Sequence, residues 1–195
     1  MPLFGSDDLP ETFPDVRATD LDGNDLTLPA DLPAELALVV VSFRDEMDPL
    51  ADQWARLGHS IEERHPDRFA VLETPVIGRG MKLFGGLATA GIRNQVEGEQ
   101  EHARTLPIYV DKKSFRKALG LSKDGDVYPF LVHRETERIL WGGRGEIDMH
   151  EVEGLEEAVA EALANPPEPL PRPPDADEDA APDQGDVEGS GDGER

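Results

Sequence analysis

The chain has 195 residues, with 42 acidic against 19 basic residues and a formal net charge of −23 at pH 7. It contains no cysteine and therefore cannot supply the thiolate that disulfide exchange and thiol peroxidase chemistry use as nucleophile. So strong a negative charge also disfavours nucleic acid or an anionic membrane as the main partner and favours neutral or basic partners.

Two interpretations of the acidity are open, an acidic patch and an acidic surface over the whole protein. The acids are spread along the entire sequence and only five residues are lysine, which favours the second interpretation. Proteins of this type work where cytoplasmic salt is molar, because at 1 M salt the screening length falls to roughly 3 Å and self-repulsion is suppressed. We therefore expect a cytoplasmic protein of a high-salt organism.

The composition divides the sequence into three parts: an N-terminal extension at 1–11, one domain at 12–164 and an acidic tail at 165–195. The extension has no basic residue and no apolar core of a signal peptide, and no apolar run approaches the roughly 20 residues of a membrane span. The tail carries ten acids, two arginines and few apolar groups. It is predicted to be disordered, and a solubilising role is favoured over a specific binding arm.

The first half of the domain alternates strand and helix patterns. Residues 13–19 and 26–28 flank the turn sequence 22–24 and predict a hairpin. Residues 36–43 are a continuous β-branched run, typical of a central strand buried on both faces. Asp48 and Pro49 then predict an N-cap and a first helical residue, followed by apolar residues at helical spacing up to a helix end near His65: Leu50, Trp54, Leu57 and Ile61.

The second half continues the alternation. Strands are predicted at 69–72, 108–110, 128–133 and 138–141, the last two forming a hairpin around 135–137. Helices are predicted at 81–96, 114–121 and 150–163, the last amphipathic. This order predicts a mixed α/β domain with a parallel sheet centre and an antiparallel edge.

The sequence resembles the thioredoxin-like superfamily over nearly all of 13–164. Residues 13–16 and 21–28 resemble the opening hairpin of peroxiredoxins, and 38–43 resembles the central strand that delivers the active-site loop. The resemblance implies a thioredoxin-like fold, with a central mixed sheet flanked by helices and an N-terminal β-hairpin extension. Where relatives carry the CxxC motif, this sequence reads Asp48-Pro49-Leu50-Ala51, and Pro129 stands where such folds usually place a cis-proline.

The stretch 128–145, which ends in a tryptophan and a glycine-rich turn, resembles the mitochondrial ATP synthase assembly factor family with a thioredoxin-like fold. Residues 42–44 and 115–121 also fit that family. This resemblance implies a protein partner during assembly of a membrane complex. The leading hypothesis is a non-catalytic binding or assembly module. The alternative is an antioxidant or oxidoreductase-type protein, related to the peroxiredoxins (alkyl hydroperoxide reductase/thiol-specific antioxidant proteins), that has lost its thiols.

Residues 74–96 contain no acid, although acids make up about a fifth of the chain. A buried core helix explains this segment and is favoured. The alternative is a partner-binding surface, where acids are depleted and apolar groups are exposed, and its candidate residues are Arg79, Lys82, Phe84 and Arg93.

No catalytic residue, metal site or cofactor is predicted. The five histidines lack ligand spacing, and His133 is expected on a solvated or half-buried strand face. The glycines around Arg79 and at 85–86 match no phosphate-binding loop, and capping explains Asp48 better than catalysis does. A small-molecule cleft near Asp45, Glu46, Asp48 and Pro129 is a third reading, without a discriminating motif.

Overall fold

The computed structural model describes residues 9–44, 48–80, 103–121 and 125–170. This part of the chain contains seven strands and three helices. In chain order they are β1 (Val16–Thr19), β2 (Asp25–Leu28), β3 (Leu36–Ser42), α1 (Asp48–Arg64), β4 (Phe69–Gly78), β5 (Ile108–Val110), α2 (Lys112–Ala118), β6 (Val127–His133), β7 (Ile139–Gly142) and α3 (Met149–Ala164).

The strands form one sheet in the order β2-β1-β5-β4-β3-β6-β7. The three strands β3, β4 and β5 run parallel, and β1 and β6 flank them antiparallel. All seven residues of β3 are buried, as its unbroken apolar run predicts. The predicted mixed α/β architecture, with a parallel centre, an antiparallel edge and an N-terminal hairpin, is confirmed.

Each face of the sheet has its own hydrophobic core. Phe13, Phe115 and the aromatic residues of β6 pack on one face, and α1 and α3 cover the other face with Trp54 and Leu155. Gly58 lets α1 approach the sheet closely, because a Cβ at that position would lie 2.8 Å from Cγ2 of Val71.

The β1–β2 hairpin is held by Asp20, which is buried. Its carboxylate accepts the backbone N–H groups of Asp22 and Asn24 at 3.0 and 2.8 Å, while Gly23 adopts a φ of +94°. Burial disfavours the charged form of Asp20, but the hydrogen bonds from Asn24 and Asp22 outweigh it, so the pKa lies below its ordinary value.

Both edges of the sheet are partly closed by residues of the same chain. At β2, Thr27 N–H donates to the carboxylate of Asp31 at 2.7 Å, and Asp31 N–H donates back to the Thr27 carbonyl at 2.8 Å. At β7, Ile139 N–H donates to the carbonyl of Glu11 at 3.0 Å. Occupied edge groups disfavour pairing with a foreign strand, so a protein partner is expected to bind a face or a rim of the sheet.

Two elements differ from the predictions by more than a residue at a boundary that tertiary pairing or capping explains. The strand predicted at 69–72 continues to Gly78 because β4 keeps pairing with β3 and then with β5. Inside this stretch Thr74 is buried and its hydroxyl donates to the Val40 carbonyl at 3.1 Å. The helix predicted at 114–121 begins at Lys112, because Asp111 caps it, and ends before Gly120, whose φ is +65°.

The prediction of a solvated or half-buried His133 is wrong. His133 is only 3% exposed. Its Nδ1 accepts a hydrogen bond from the backbone N–H of Thr136 at 3.3 Å, in the turn after β6. Burial is the main reason why the pKa of His133 is lowered, against the opposing effect of Glu35. The alternation of strand residues alone did not reveal that both faces of β6 are covered.

Several predictions concern residues outside the described part of the chain. They include the helix at 81–96, with Lys82, Phe84 and Arg93, and most of the tail. Helix α3 ends at Ala164, and 165–170 form neither helix nor strand. None of the helices within the described ranges is long and apolar enough to cross a membrane.

Candidate functional site

The candidate site is the region where the central strand leads into helix α1. After β3 the chain passes Phe43 and Arg44, and α1 begins at Asp48, one residue earlier than predicted. Asp48–Ala51 therefore form the first turn of the helix that follows the central strand. In this turn Pro49 is exposed, Leu50 is half-buried and Ala51 is buried against the sheet.

Pro129 belongs to the neighbouring strand β6, where it lies opposite Val40. It is buried and shares a strand face with Val127 and Leu131, which pack in the same core as α1. The sequence left open whether Pro129 is cis; within the described ranges the cis peptide bond is Leu28–Pro29, so the bond before Pro129 is trans. The strand β6 pairs with β3 in one unbroken register on both sides of Pro129.

A turn after β7 joins β6 to α1. Gly143 N–H donates to the Pro129 carbonyl at 2.9 Å, and Gly145 N–H donates to the Val127 carbonyl at 2.8 Å. The carbonyl of Gly145 in turn accepts the indole N–H of Trp54, which is fully buried, at 2.8 Å. The turn therefore fixes the start of α1 relative to the start of β6.

Two cations lie beside the end of β3. Arg144 forms an ion pair with Asp126 at 2.5 Å, and its guanidinium carbon lies 6.0 Å from the ring centre of Tyr128. Lys112 Nζ donates to the Phe43 carbonyl at 2.7 Å. Of these two cations, Arg144 is balanced by Asp126, so the positive charge beside the end of the central strand is mainly that of Lys112.

Solved structures of other proteins are similar to this chain in fold. Yeast Sco1 with copper bound is 15% identical with a TM-score of 0.53, over 82% of this chain and 97% of Sco1. A thiol:disulfide interchange protein of the DsbE type from Chlorobium tepidum has the same identity and TM-score, over 80% of this chain and 97% of its own. The exposed lipoprotein thioredoxin of Streptococcus pneumoniae is 11% identical with a TM-score of 0.50, over 76% and 99% of the two chains.

The chain has a thioredoxin-like fold. Identities this low show the fold and nothing more. No protein-family model and no curated protein sequence matches the chain.

Within this thioredoxin-like framework, the positions predicted to match the redox motif lie on two elements that pack together, α1 and β6. Asp48 to Ala51 occupy α1, and Pro129 occupies β6. Of the candidate partner-binding residues, Arg79 is exposed directly after β4. Ser42 is buried at the end of β3, which leaves it poorly placed as a nucleophile.

Glu151 was not predicted as a site residue. It lies in the first turn of α3 and is only 6% exposed. Burial is the main cause of its raised pKa, and the negative charge of Asp148 adds to it. Its Oε2 would lie 2.6 Å from a Cβ at Gly143. The spacing Asp148-x-x-Glu151 is a capping-box signal, but such a glutamate is ordinarily exposed.

The site residues offer no obvious redox or metal chemistry. The chain has no thiol, and the described ranges contain no group of three or more His, Asp or Glu side chains that could hold a metal ion. The arrangement provides a junction at which hydrogen bonds join α1, β6 and the Gly143–Gly145 turn. Cations lie beside this junction.

Proposed function

We propose that the protein is a non-catalytic thioredoxin-fold binding or assembly module that lacks redox cysteines. One observation carries this proposal: the helix turn after the central strand reads Asp48-Pro49-Leu50-Ala51. Ala51 fills a buried position that contributes packing. A thioredoxin-like framework without a thiolate retains its shape and its binding surfaces but not its chemistry.

We propose that the partner of this module is another protein. The resemblance of 128–145 to an assembly factor family supports this choice, and the turn inside that stretch is firmly fixed by Trp54 and β6. We propose that the acid-free stretch 74–96 supplies the contact surface, with Arg79, Lys82, Phe84 and Arg93. The exposure of Arg79 is compatible with this role.

The second candidate is an antioxidant or oxidoreductase-type protein that has lost its thiols. The fold likeness to a protein named for thiol:disulfide interchange and to a thioredoxin supports common descent. In this reading the present chain keeps a related role by a route that uses no cysteine.

Reduction assays separate the two candidates. The purified full chain is assayed for insulin-disulfide reduction with dithiothreitol and for hydrogen peroxide consumption, in dilute and in molar KCl, beside an active thioredoxin. If the protein is a non-catalytic binding module, we expect no turnover above the buffer rate at either salt concentration. Turnover that is proportional to protein concentration would overturn the non-catalytic proposal and favour the second candidate.

We also propose that the protein works in the cytoplasm of a high-salt organism. The charge of −23 and the scarcity of lysine support this proposal.

A further inference from the structure

A depression of about 900 Å³ lies over strands β1, β2 and β5 and reaches the end of β4. Its lining includes two arginines and three hydroxyl groups, all of them able to donate hydrogen bonds. These residues are Arg17, Thr19, Thr27, Arg79 and Tyr109. We propose that this depression binds a small molecule through a phosphate or carboxylate group held by Arg17 and Arg79.

Neither arginine has an acidic partner among the residues that the structure describes. Four other arginines each form an ion pair with a carboxylate: Arg64 with Glu156, Arg68 with Glu35, Arg104 with Glu62 and Arg144 with Asp126. No acid in the described ranges pairs with Arg17 or Arg79 in this way. Other described arginines, such as Arg56 and Arg134, also form no such ion pair with a described acid, so what distinguishes Arg17 and Arg79 is that both line the same depression.

Arg79 lies at the carboxyl end of the parallel strands, directly after β4. Ligands of open α/β sheets bind outside these ends. Each of the three parallel strands is followed within two residues by a cation, namely Arg44 after β3, Arg79 after β4 and Lys112 after β5. Arg79 therefore lies at the sheet edge where ligands of such sheets bind, and cations follow the two neighbouring parallel strands at the same edge.

Asp111 precedes Lys112 directly in the sequence, and its carboxylate is already engaged. It accepts the backbone N–H of Ser114 at 2.7 Å. That hydrogen bond is the main cause of the lowered pKa of Asp111, and the positive charges of Arg79 and Lys113 lower it further. The positive charges of Arg79 and Lys113 thus both stabilise the same carboxylate, that of Asp111.

The depression also has acidic walls, which limit the size of the anion. Asp15 and Asp25 line it, and Asp25 accepts the hydroxyl of Thr19 at 2.8 Å. A single phosphate or carboxylate group on a compact molecule avoids these acids better than a long polyanion does. Bidentate contacts from a guanidinium suit both groups.

Titration calorimetry with inorganic phosphate and, separately, with succinate tests the proposal and distinguishes the two anions. The wild-type full chain is compared with Arg17→Gln/Arg79→Gln and with the control Arg56→Gln, which removes an exposed arginine from α1. We expect saturable binding of at least one probe, unchanged in the control and weakened about tenfold or more in the double variant, as the loss of charge-assisted hydrogen bonds implies.

Absence of saturable heat with both probes would overturn the proposal. Equal weakening of binding in the control would also overturn it, because it would show that binding depends only on the net charge of the protein. Melting curves establish that each variant is folded. Arg79 belongs both to this depression and to the proposed partner-binding surface, but the result can be separated from the assembly role because neither probe is a protein and calorimetry with these probes measures no partner.

Discussion

The indole Nε1 of Trp54 donates a 2.8 Å hydrogen bond to the carbonyl of Gly145, a residue 91 positions further along the chain. This bond links the helix after the central strand to the turn that follows β7. The Trp54 ring also lies 5.8 Å from the ring of Trp141. The junction at the candidate site therefore depends on one buried side chain.

Trp54→Phe is expected to lower the free energy of unfolding by about 1–3 kcal/mol, because the Gly145 carbonyl loses its donor inside the protein and part of the indole volume is lost. Urea unfolding followed by circular dichroism measures this. The matched variant Trp141→Phe, at a half-buried position, should cost less. Equal costs would mean that the bond to Gly145 contributes nothing specific.

Glu151→Gln is expected to stabilise the protein at neutral pH. The pKa of Glu151 is raised by burial, so the wild type loses stability as the pH rises from the ordinary value of 4.5 through the raised value and the buried carboxyl ionises. The variant lacks this ionisation, and its advantage should vanish at low pH. Unfolding free energies across this range check the sign, and an advantage that is independent of pH would contradict the assignment.

His133→Asn is expected to flatten the pH dependence of stability on the acid side of neutrality. The pKa of His133 is lowered by burial from an ordinary 6.5, so the unfolded chain takes up the proton first and the wild type loses stability as the pH falls through this window. The exposed His150, changed to Asn in the same way, is the control. Identical slopes in the wild type and His133→Asn would show that His133 is not the responsible group.

Molar salt is expected to raise the melting temperature markedly. The net charge of −23 repels itself in dilute buffer, and a screening length near roughly 3 Å at 1 M salt removes most of that repulsion. Melting curves of the full chain in dilute and in molar KCl provide the measurement. A melting temperature that does not change would remove the high-salt interpretation.

The pattern of apolar residues was sufficient to predict the elements that carry the core. The unbroken run of β3 and the helical spacing of Trp54 and Ile61 in α1 correspond to buried positions. The extension of β4 beyond Leu72 was not predictable in the same way, because Glu73 and Pro75 are residue types depleted in strands. Pairing with strands distant in sequence is what makes that stretch a strand.

The candidate site was predictable only in part. Resemblance located Asp48–Ala51 and Pro129 on α1 and β6, but no local pattern reveals that Trp54 reaches Gly145 or that Lys112 reaches Phe43. These contacts arise from the tertiary arrangement. Glu151 was missed because a glutamate on an amphipathic helix is ordinarily placed in solvent.

The central claim, a binding module whose partner contacts residues 74–96, is tested most directly by affinity capture from the host lysate at native salt. The tagged full chain is compared with Lys82→Glu/Arg93→Glu and with the charge-matched control Arg56→Glu/Lys117→Glu, which changes two exposed cations on α1 and α2, and bound proteins are identified by mass spectrometry. The account predicts one defined complex with the wild type and the control, lost in the first variant although it melts like the wild type. Equally empty eluates, or the same complex with all three proteins, would contradict it.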